Sequence, residues 1–118
     1  MKGIRPATVS LVLLAALCAS SCGVYRGAQL YQRGTDSLDR GETQRAISEL
    51  EQAAIMVPNA SEIQNHLGLA YAAAGRERDA LGAFRRAVEL DCDNLAASEN
   101  LAFFEAQAVD TPTREATP

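Results

Sequence analysis

The sequence predicts an all-α fold in which antiparallel helical hairpins stack side by side as a short solenoid. The chain matches itself when it is shifted by 34 residues, and apolar residues recur at helical spacing between glycine and proline breaks. A period of this length, with small residues at fixed points, is typical of hairpins that cannot bury their apolar faces alone. The matched pairs are Gly34 with Gly68, Gly41 with Gly75, Ala46 with Ala80, Leu50 with Phe84, and Ala53 with Ala87.

The first predicted hairpin follows Gly27. Its first helix runs from Gln29 to Arg40 and ends at Gly41, because glycine readily takes the backbone conformation that terminates a helix. Its second helix ends before Pro58. The apolar face of that second helix comprises Ala46, Ile47, Leu50, Ala53, Ala54 and Val57.

The second predicted hairpin repeats this arrangement. Ser61, with Gln64 three residues later, is the expected N-cap of its first helix, which ends at Gly75. Acidic residues then suit the positive end of the next helix. The apolar stripe of the first helix is Ile63, Leu67, Ala70, Tyr71 and Ala74, and that of the second is Ala80, Leu81, Phe84, Ala87 and Val88.

A fifth helix, capped by Asp93 or Asn94, is expected to extend to about Gln107 and to cover Phe84 and Val88. Residues 108–118 contain two prolines and no helical periodicity, and they are predicted to form a disordered tail. The helical domain is therefore assigned to residues 27–107.

The N-terminal segment, residues 1–21, is predicted to be a secretory signal peptide. Lys2 and Arg5 precede an apolar run from Ala7 to Ala19 that is too short for a convincing membrane span. The segment ends in small residues before Cys22 and resembles a bacterial lipoprotein lipobox, although Ala19 stands where leucine is most frequent. The resemblance implies a lipidated Cys22, a tether of residues 22–26 and, with Gly23 following, the periplasmic face of an outer membrane. Ordinary cleavage and an uncleaved anchor are the alternatives.

The state of the cysteines depends on whether Cys22 is lipidated. If Cys22 carries lipid, Cys92 is the one remaining thiol of the mature chain and has no partner within it. If the chain is cut without lipidation, Cys22 and Cys92 could instead form a disulfide.

The two hairpins resemble the tetratricopeptide repeat. The match is strong over Ser61 to Asn94 and weaker over Gly27 to Ala60, where Arg33 and Ser37 replace the leucine and tyrosine of the second unit. Cys92 also stands where the family favours the proline seen at Pro58. The matching residues of the second unit are Leu67, Gly68, Tyr71, Gly75, Ala80, Phe84 and Ala87.

The family resemblance implies that the first helix of each unit lines a protein-binding groove. The residues that face this groove should be Tyr31, Thr35, Leu38, Asn65, Leu69, Ala72, Ala73, Glu99 and Phe103. The alternative is that these side chains pack within the stack, which fits Leu69 best. They lack the basic and amide set with which some family members hold a C-terminal carboxylate. The expected partner is instead an amphipathic helix or an extended segment of another protein.

Composition and motifs argue against other classes of function. Without Lys2 and Arg5, nine basic residues face 15 acidic ones, a net charge of about −6 that disfavours nucleic acid. The single histidine, His66, has no second ligand at metal-binding spacing, and no pattern indicates a catalytic group or a cofactor. The leading hypothesis is an envelope-anchored scaffold lipoprotein that serves assembly of a pilus, secretion channel or outer-membrane complex. The alternative is a protein that dimerises through the open ends of its stack, since two units fall below the usual number of repeats.

Overall fold

The computed structural model describes residues 6–110 of the chain, with side chains from Cys22 to Val109. This range contains five α-helices and no strand. α1 packs against α2, and α3 packs against α4, while α5 lies against α4 and α3. The predicted all-α stack of two hairpins and a terminal helix is therefore confirmed. The helices are α1 Pro6–Asp39, α2 Thr43–Met56, α3 Ser61–Ala73, α4 Glu77–Leu90 and α5 Leu95–Asp110.

α1 begins well before the predicted start of the first hairpin. Its described part runs from Pro6 and continues through residues 22–26, which were predicted to form the tether. Its packing against the stack begins with the buried Gly27 and Leu30. Residues 1–5 and the side chains of residues 6–21, where the signal peptide was predicted, lie outside the described residues.

α5 extends beyond its predicted C-terminal end. Residues 108–110 belong to the helix, which therefore continues past its predicted end at about Gln107. Ala106, Ala108 and Val109 allow the helix to continue, because none of them breaks a helix. The rest of the predicted tail, residues 111–118, lies outside the described residues.

The two hairpins turn in the same way. Gly41 and Gly75 both have positive φ angles, 74° and 72°. In each turn the next residue donates its backbone N–H to a carbonyl five residues earlier: Glu42 to Ser37 at 2.8 Å and Arg76 to Tyr71 at 2.9 Å. This is the Schellman closure that glycine permits at a helix end, and it directs the second helix back along the first.

Small residues set the distance between the paired helices. A Cβ atom placed on Gly68 would lie 2.5 Å from the Phe84 ring, and one placed on Gly34 would lie 2.7 Å from the Leu50 side chain. Leu50 and Phe84 are both fully buried. The predicted close approach at the repeat positions is confirmed, and the buried alanines continue it at Ala46, Ala53, Ala80, Ala87 and Ala97.

The helix caps follow the prediction at one position and depart from it at another. The Asn94 side chain accepts a hydrogen bond from the backbone N–H of Ala97 at 3.0 Å, as expected for the N-cap of α5. Ser61 makes no cap hydrogen bond, so the prediction of its N-cap role was wrong. Its hydroxyl instead donates to the carbonyl of Ala87 at 2.9 Å and accepts from Asn94 at 2.8 Å. Ser61 thereby joins the start of α3 to the end of α4.

α5 closes the end of the stack. The Phe104 ring lies 5.3 Å from the Phe84 ring, and Phe84 is fully buried, as the predicted capping role requires. Phe103 meets Phe104 edge to face at 5.4 Å and remains 60% exposed. No helix among the described residues is both long enough and apolar enough to cross a membrane.

Candidate functional site

The candidate binding groove is the face shared by α1, α3 and α5, the first helices of successive units. α3 contacts both of the other two, whereas α1 and α5 do not touch each other. The groove therefore consists of two neighbouring strips, one between α1 and α3 and the other between α3 and α5. Each strip is bridged by one polar contact.

Tyr31 bridges the first strip. Its hydroxyl lies 3.2 Å from Nδ1 of His66, and the two rings meet edge to face with centroids 5.3 Å apart. The same His66 nitrogen lies 3.0 Å from the carbonyl oxygen of Glu62. Burial raises the pKa of Tyr31, and the negative charge of Glu62 raises it further, so the hydroxyl keeps its proton at neutral pH.

Asn65 bridges the second strip. Its side-chain oxygen accepts a hydrogen bond from the amide of Asn100 at 2.9 Å, and Asn65 itself is buried. Tyr31 and Asn65 are equivalent positions in the repeat, and each meets a residue 35 positions later. The side chain of Asn65 is therefore occupied in joining α3 to α5, although the sequence predicted it as a residue that would face a ligand.

Two predicted groove residues of α1 are engaged locally. The Thr35 hydroxyl donates to the Gln32 carbonyl at 2.9 Å, which satisfies it within its own helix. Leu38 is half-buried and packs against the core cluster that contains Ala46 and Leu50. The groove surface that α1 presents is therefore formed mainly by Tyr31.

The remaining predicted residues offer more surface. On α3, Leu69 and Ala72 are half-buried and Ala73 is exposed. On α5, Glu99 and Phe103 are exposed. Together with Tyr31, these side chains give an apolar groove with an acidic group near one end, and no lysine or arginine belongs to the set.

His66 is not among the residues predicted to face the groove. The sequence predicts only an ordinary surface or groove histidine, whereas the structure pairs it with Tyr31 across α1 and α3. The signal that could have revealed this role is the offset: His66 lies one residue beyond the repeat partner of Tyr31, as Asn100 lies one residue beyond the repeat partner of Asn65.

A second polar cluster joins the hairpins through Tyr71. The Tyr71 hydroxyl donates to a carboxylate oxygen of Glu51 at 2.7 Å, and the Arg76 guanidinium lies 4.4 Å from the centre of the Tyr71 ring. Arg76 also pairs with Asp79 at 2.7 Å. Burial raises the pKa of Tyr71 to about 12, with the hydrogen bond to Glu51 and its charge adding to the effect. This cluster ties α2 to α3.

The described cysteines, Cys22 and Cys92, are both exposed and both free thiols. Cys22 lies on α1 five residues before the first buried position of the stack. The described residues contain no group of three or more histidine, cysteine, aspartate or glutamate side chains arranged to hold a metal ion.

Comparison with known proteins supports the repeat assignment made from the sequence. The family model for the tetratricopeptide repeat matches residues 31–107, which is more than half of the chain. The comparison with curated proteins gives no match. The matched region begins in the packed part of α1, includes the two equivalent glycine turns, and ends near the end of α5. The chain belongs to the tetratricopeptide repeat family.

Proposed function

We propose that this protein is an envelope-anchored scaffold lipoprotein whose groove binds another protein. Tetratricopeptide repeats are protein-interaction modules, and the described residues form the helical stack of that family. The observation that carries the proposal is the groove along α1, α3 and α5, in which Tyr31 and Phe103 leave ring surface available beside polar bridges. Aromatic side chains of this kind are frequent anchors at protein interfaces.

The partner that fits this groove is an amphipathic helix or an extended segment. The groove residues are mostly apolar, and the acidic Glu99 would suit a basic residue at one edge of the ligand. We place the partner among membrane-proximal proteins, in assembly of a pilus, a secretion channel or an outer-membrane complex.

The proposed anchor is lipid on Cys22, which would hold the domain close to the outer membrane on its periplasmic side. The helical residues between Cys22 and Gly27 rise about 7 Å, less than half of their extended length. A short helical connection would therefore keep the groove within reach of proteins embedded in the same membrane. Stable attachment needs more than one acyl chain, as a lipoprotein modification supplies.

The anchor is tested by replacing each described cysteine. Cys22→Ser should move the protein from the membrane fraction to the soluble fraction, whereas Cys92→Ser, the matched control, should leave it in the membrane. Fractionation that is the same for both variants would count against lipidation at Cys22.

The groove is tested by a pull-down from membrane extracts of the source cells. Tyr31→Ala combined with Phe103→Ala should reduce recovery of a specific partner. Ile55→Ala removes a side chain of α2 that is 79% exposed and outside the groove, and it should not reduce recovery. Equal recovery with all variants would exclude the groove as the binding site.

A second candidate function is self-association through the ends of the stack. Exposed apolar side chains at both ends favour it, with Val24 and Tyr25 on α1 and Leu95 and Val109 on α5. Sedimentation of the soluble Cys22→Ser form separates the two candidates. A concentration-dependent dimer supports self-association, and a stable monomer supports the scaffold.

A further inference from the structure

The outer face of α5 is a surface that the groove does not account for. We define this face as Leu95, Ala102, Ala106 and Val109, which fall on one side of the helix at spacings of seven, four and three residues. All four are exposed, Leu95 by 74% and Val109 by 84%. The face is therefore an apolar stripe along α5, interrupted between Leu95 and Ala102 by the exposed Glu99.

The 34-residue repeat indicates which kind of structural element this stripe should contact. Gly34 receives the Leu50 side chain of α2, and Gly68 receives the Phe84 ring of α4. Ala102 is the next position in this series of 34-residue steps, and it is again small. In both earlier units the small residue faces the second helix of a hairpin. At Ala102 the corresponding helix is missing from the described part of the chain, where the position is exposed.

The segment that follows α5 does not carry the pattern of that helix. At the positions equivalent to Ala80 and Phe84, residues 111–118 have Arg114 and Pro118. Proline in a helix interior removes a hydrogen bond and clashes with the preceding turn, and arginine is too large and too polar for the crossing point. Residues 111–118 are thus not expected to occupy the outer face.

Charge indicates which kind of helix suits the outer face. α5 carries Glu99 beside the stripe and Glu105 on its flank, and it has no lysine or arginine. Glu105 is paired with Arg85 at 2.9 Å, whereas Glu99 is exposed. Two copies of α5 packed about a two-fold axis would bring acidic helices together, which is unfavourable. A basic helix would meet complementary charge.

We propose that the outer face of α5 is a second docking surface, which accepts one amphipathic, basic-flanked α-helix from another protein. This helix places a bulky apolar side chain over Ala102, in the register of Leu50 and Phe84, and so completes a third hairpin. The surface adjoins the groove at Glu99, which borders both, and is separate from the part of the groove formed by Tyr31 and Leu69.

The test measures binding of a defined peptide to the full-length chain, held in solution by a mild non-ionic detergent. The probe is a fluorescently labelled peptide with the sequence of residues 77–90, in which Glu77→Lys, Asp79→Lys and Glu89→Lys make it basic. Fluorescence anisotropy should show saturable binding to the wild-type protein. The same peptide with Phe84→Ala should bind about ten-fold more weakly or less, because it lacks the side chain that covers Ala102.

Protein variants locate the site. Ala102→Gln and Val109→Gln should each weaken binding about five-fold or more, while Ala28→Gln, the same change on an exposed position of α1, should leave it unchanged. Circular dichroism confirms that each variant remains folded. Absence of binding to the wild type, or equal binding to all variants, would overturn the proposal.

Two further outcomes would contradict the proposal. If Leu69→Ala abolishes peptide binding while Ala102→Gln does not, the peptide lies in the groove and the outer face is not a docking surface. If the wild type sediments as a dimer and Ala102→Gln as a monomer, a second copy covers the face and the hetero-helix proposal is wrong. Loss of partner binding through Tyr31→Ala, by contrast, tests the proposed groove function alone.

Discussion

Equivalent residues of successive units make contacts at the same positions, although the chemistry of those contacts differs. Glu51 meets Tyr71 across the two hairpins, and at the equivalent positions Arg85 meets Glu105 across the second hairpin and α5. Both pairs are 20 residues apart. One is a hydrogen bond to a phenol, and the other is an ion pair. The helix spacing thus determines where a polar bridge forms, while the residues that form it differ between units.

The same holds inside the hairpins. Glu42 pairs with Arg45 at 3.3 Å, and the equivalent Arg76 pairs with Asp79 at 2.7 Å, with the charges exchanged. Ser37 stands where the second unit has Tyr71, and its hydroxyl donates to the nearly buried Glu49 at 2.9 Å. The first unit therefore fills this position differently from the second: the small Ser37 packs against the larger Glu49.

Gly68 offers a direct test of the helix spacing. Gly68→Ala should destabilise the fold by about 1–3 kcal/mol, because the new methyl group would clash with the buried Phe84 ring. Gly82→Ala is the matched control: no atom outside its own stretch of helix lies within 4 Å of its Cβ position, and alanine should stabilise α4 by about 0.5–1 kcal/mol. Urea denaturation measures both. Equal effects of the two substitutions would contradict the close approach.

Tyr71 should make stability depend on alkaline pH. Its pKa rises from the ordinary 10.0 to about 12 on folding, so the unfolded chain loses its phenol proton first. The contribution of the neutral phenol is fully present below pH 10.0 and is lost as pH rises to about 12.

This dependence is tested by measuring the free energy of unfolding in urea from about pH 8 to about pH 11.5, a range that includes the pKa of the phenol in the unfolded chain. The difference between the wild type and Tyr71→Phe should shrink as pH rises, because the variant has no phenol at this position. Subtracting the variant also removes the contribution of Tyr31. A difference that stays constant with pH would show that burial and the Glu51 contact do not raise the pKa of Tyr71.

Among the helices, α5 lies at one end of the stack and packs on one side only. Its buried side contains Ala97 and presents Phe104 to Phe84, and its other side is open. The terminal helix of a repeat stack has to cover the last core residues without a following neighbour, so one side of it stays exposed.

Adjacent phenylalanines of α5 should therefore differ in their effect on stability. Phe104→Ala should cost about 1–3 kcal/mol, less than a fully buried phenylalanine, because it removes the ring that packs on Phe84. Phe103→Ala should cost about 0.5 kcal/mol, since its ring is 60% exposed. Thermal or urea unfolding separates the two. A larger loss for Phe103→Ala would contradict the covering role of Phe104.

At the scale of the whole molecule, each hairpin contacts only its neighbours. α1 and α2 do not touch α5, and α3 and α4 join them. In such a stack, stability is close to a sum of contributions from each hairpin and each shared interface. Substitutions in the first hairpin and in α5 should accordingly act independently.

Double substitutions test this independence. Gly34→Ala, which crowds Leu50, combined with Phe104→Ala should give effects that add within about 0.5 kcal/mol. Gly68→Ala combined with Phe104→Ala should depart from additivity, because both residues contact Phe84. If both pairs proved equally non-additive, the stack would unfold through contacts other than those between neighbours.

The sequence by itself determined the period, the helix pairing, the glycine turns and the small residues at the crossings. These features depend on backbone preference and side-chain size, which are local properties of each residue. It also indicated the groove helices and left the anchor at Cys22 as a prediction. Only the tertiary structure decided the polar bridges of Tyr31 with His66 and of Ser37 with Glu49. A polar side chain bonds whichever group lies opposite once the helices have packed, and a single sequence does not record that distance.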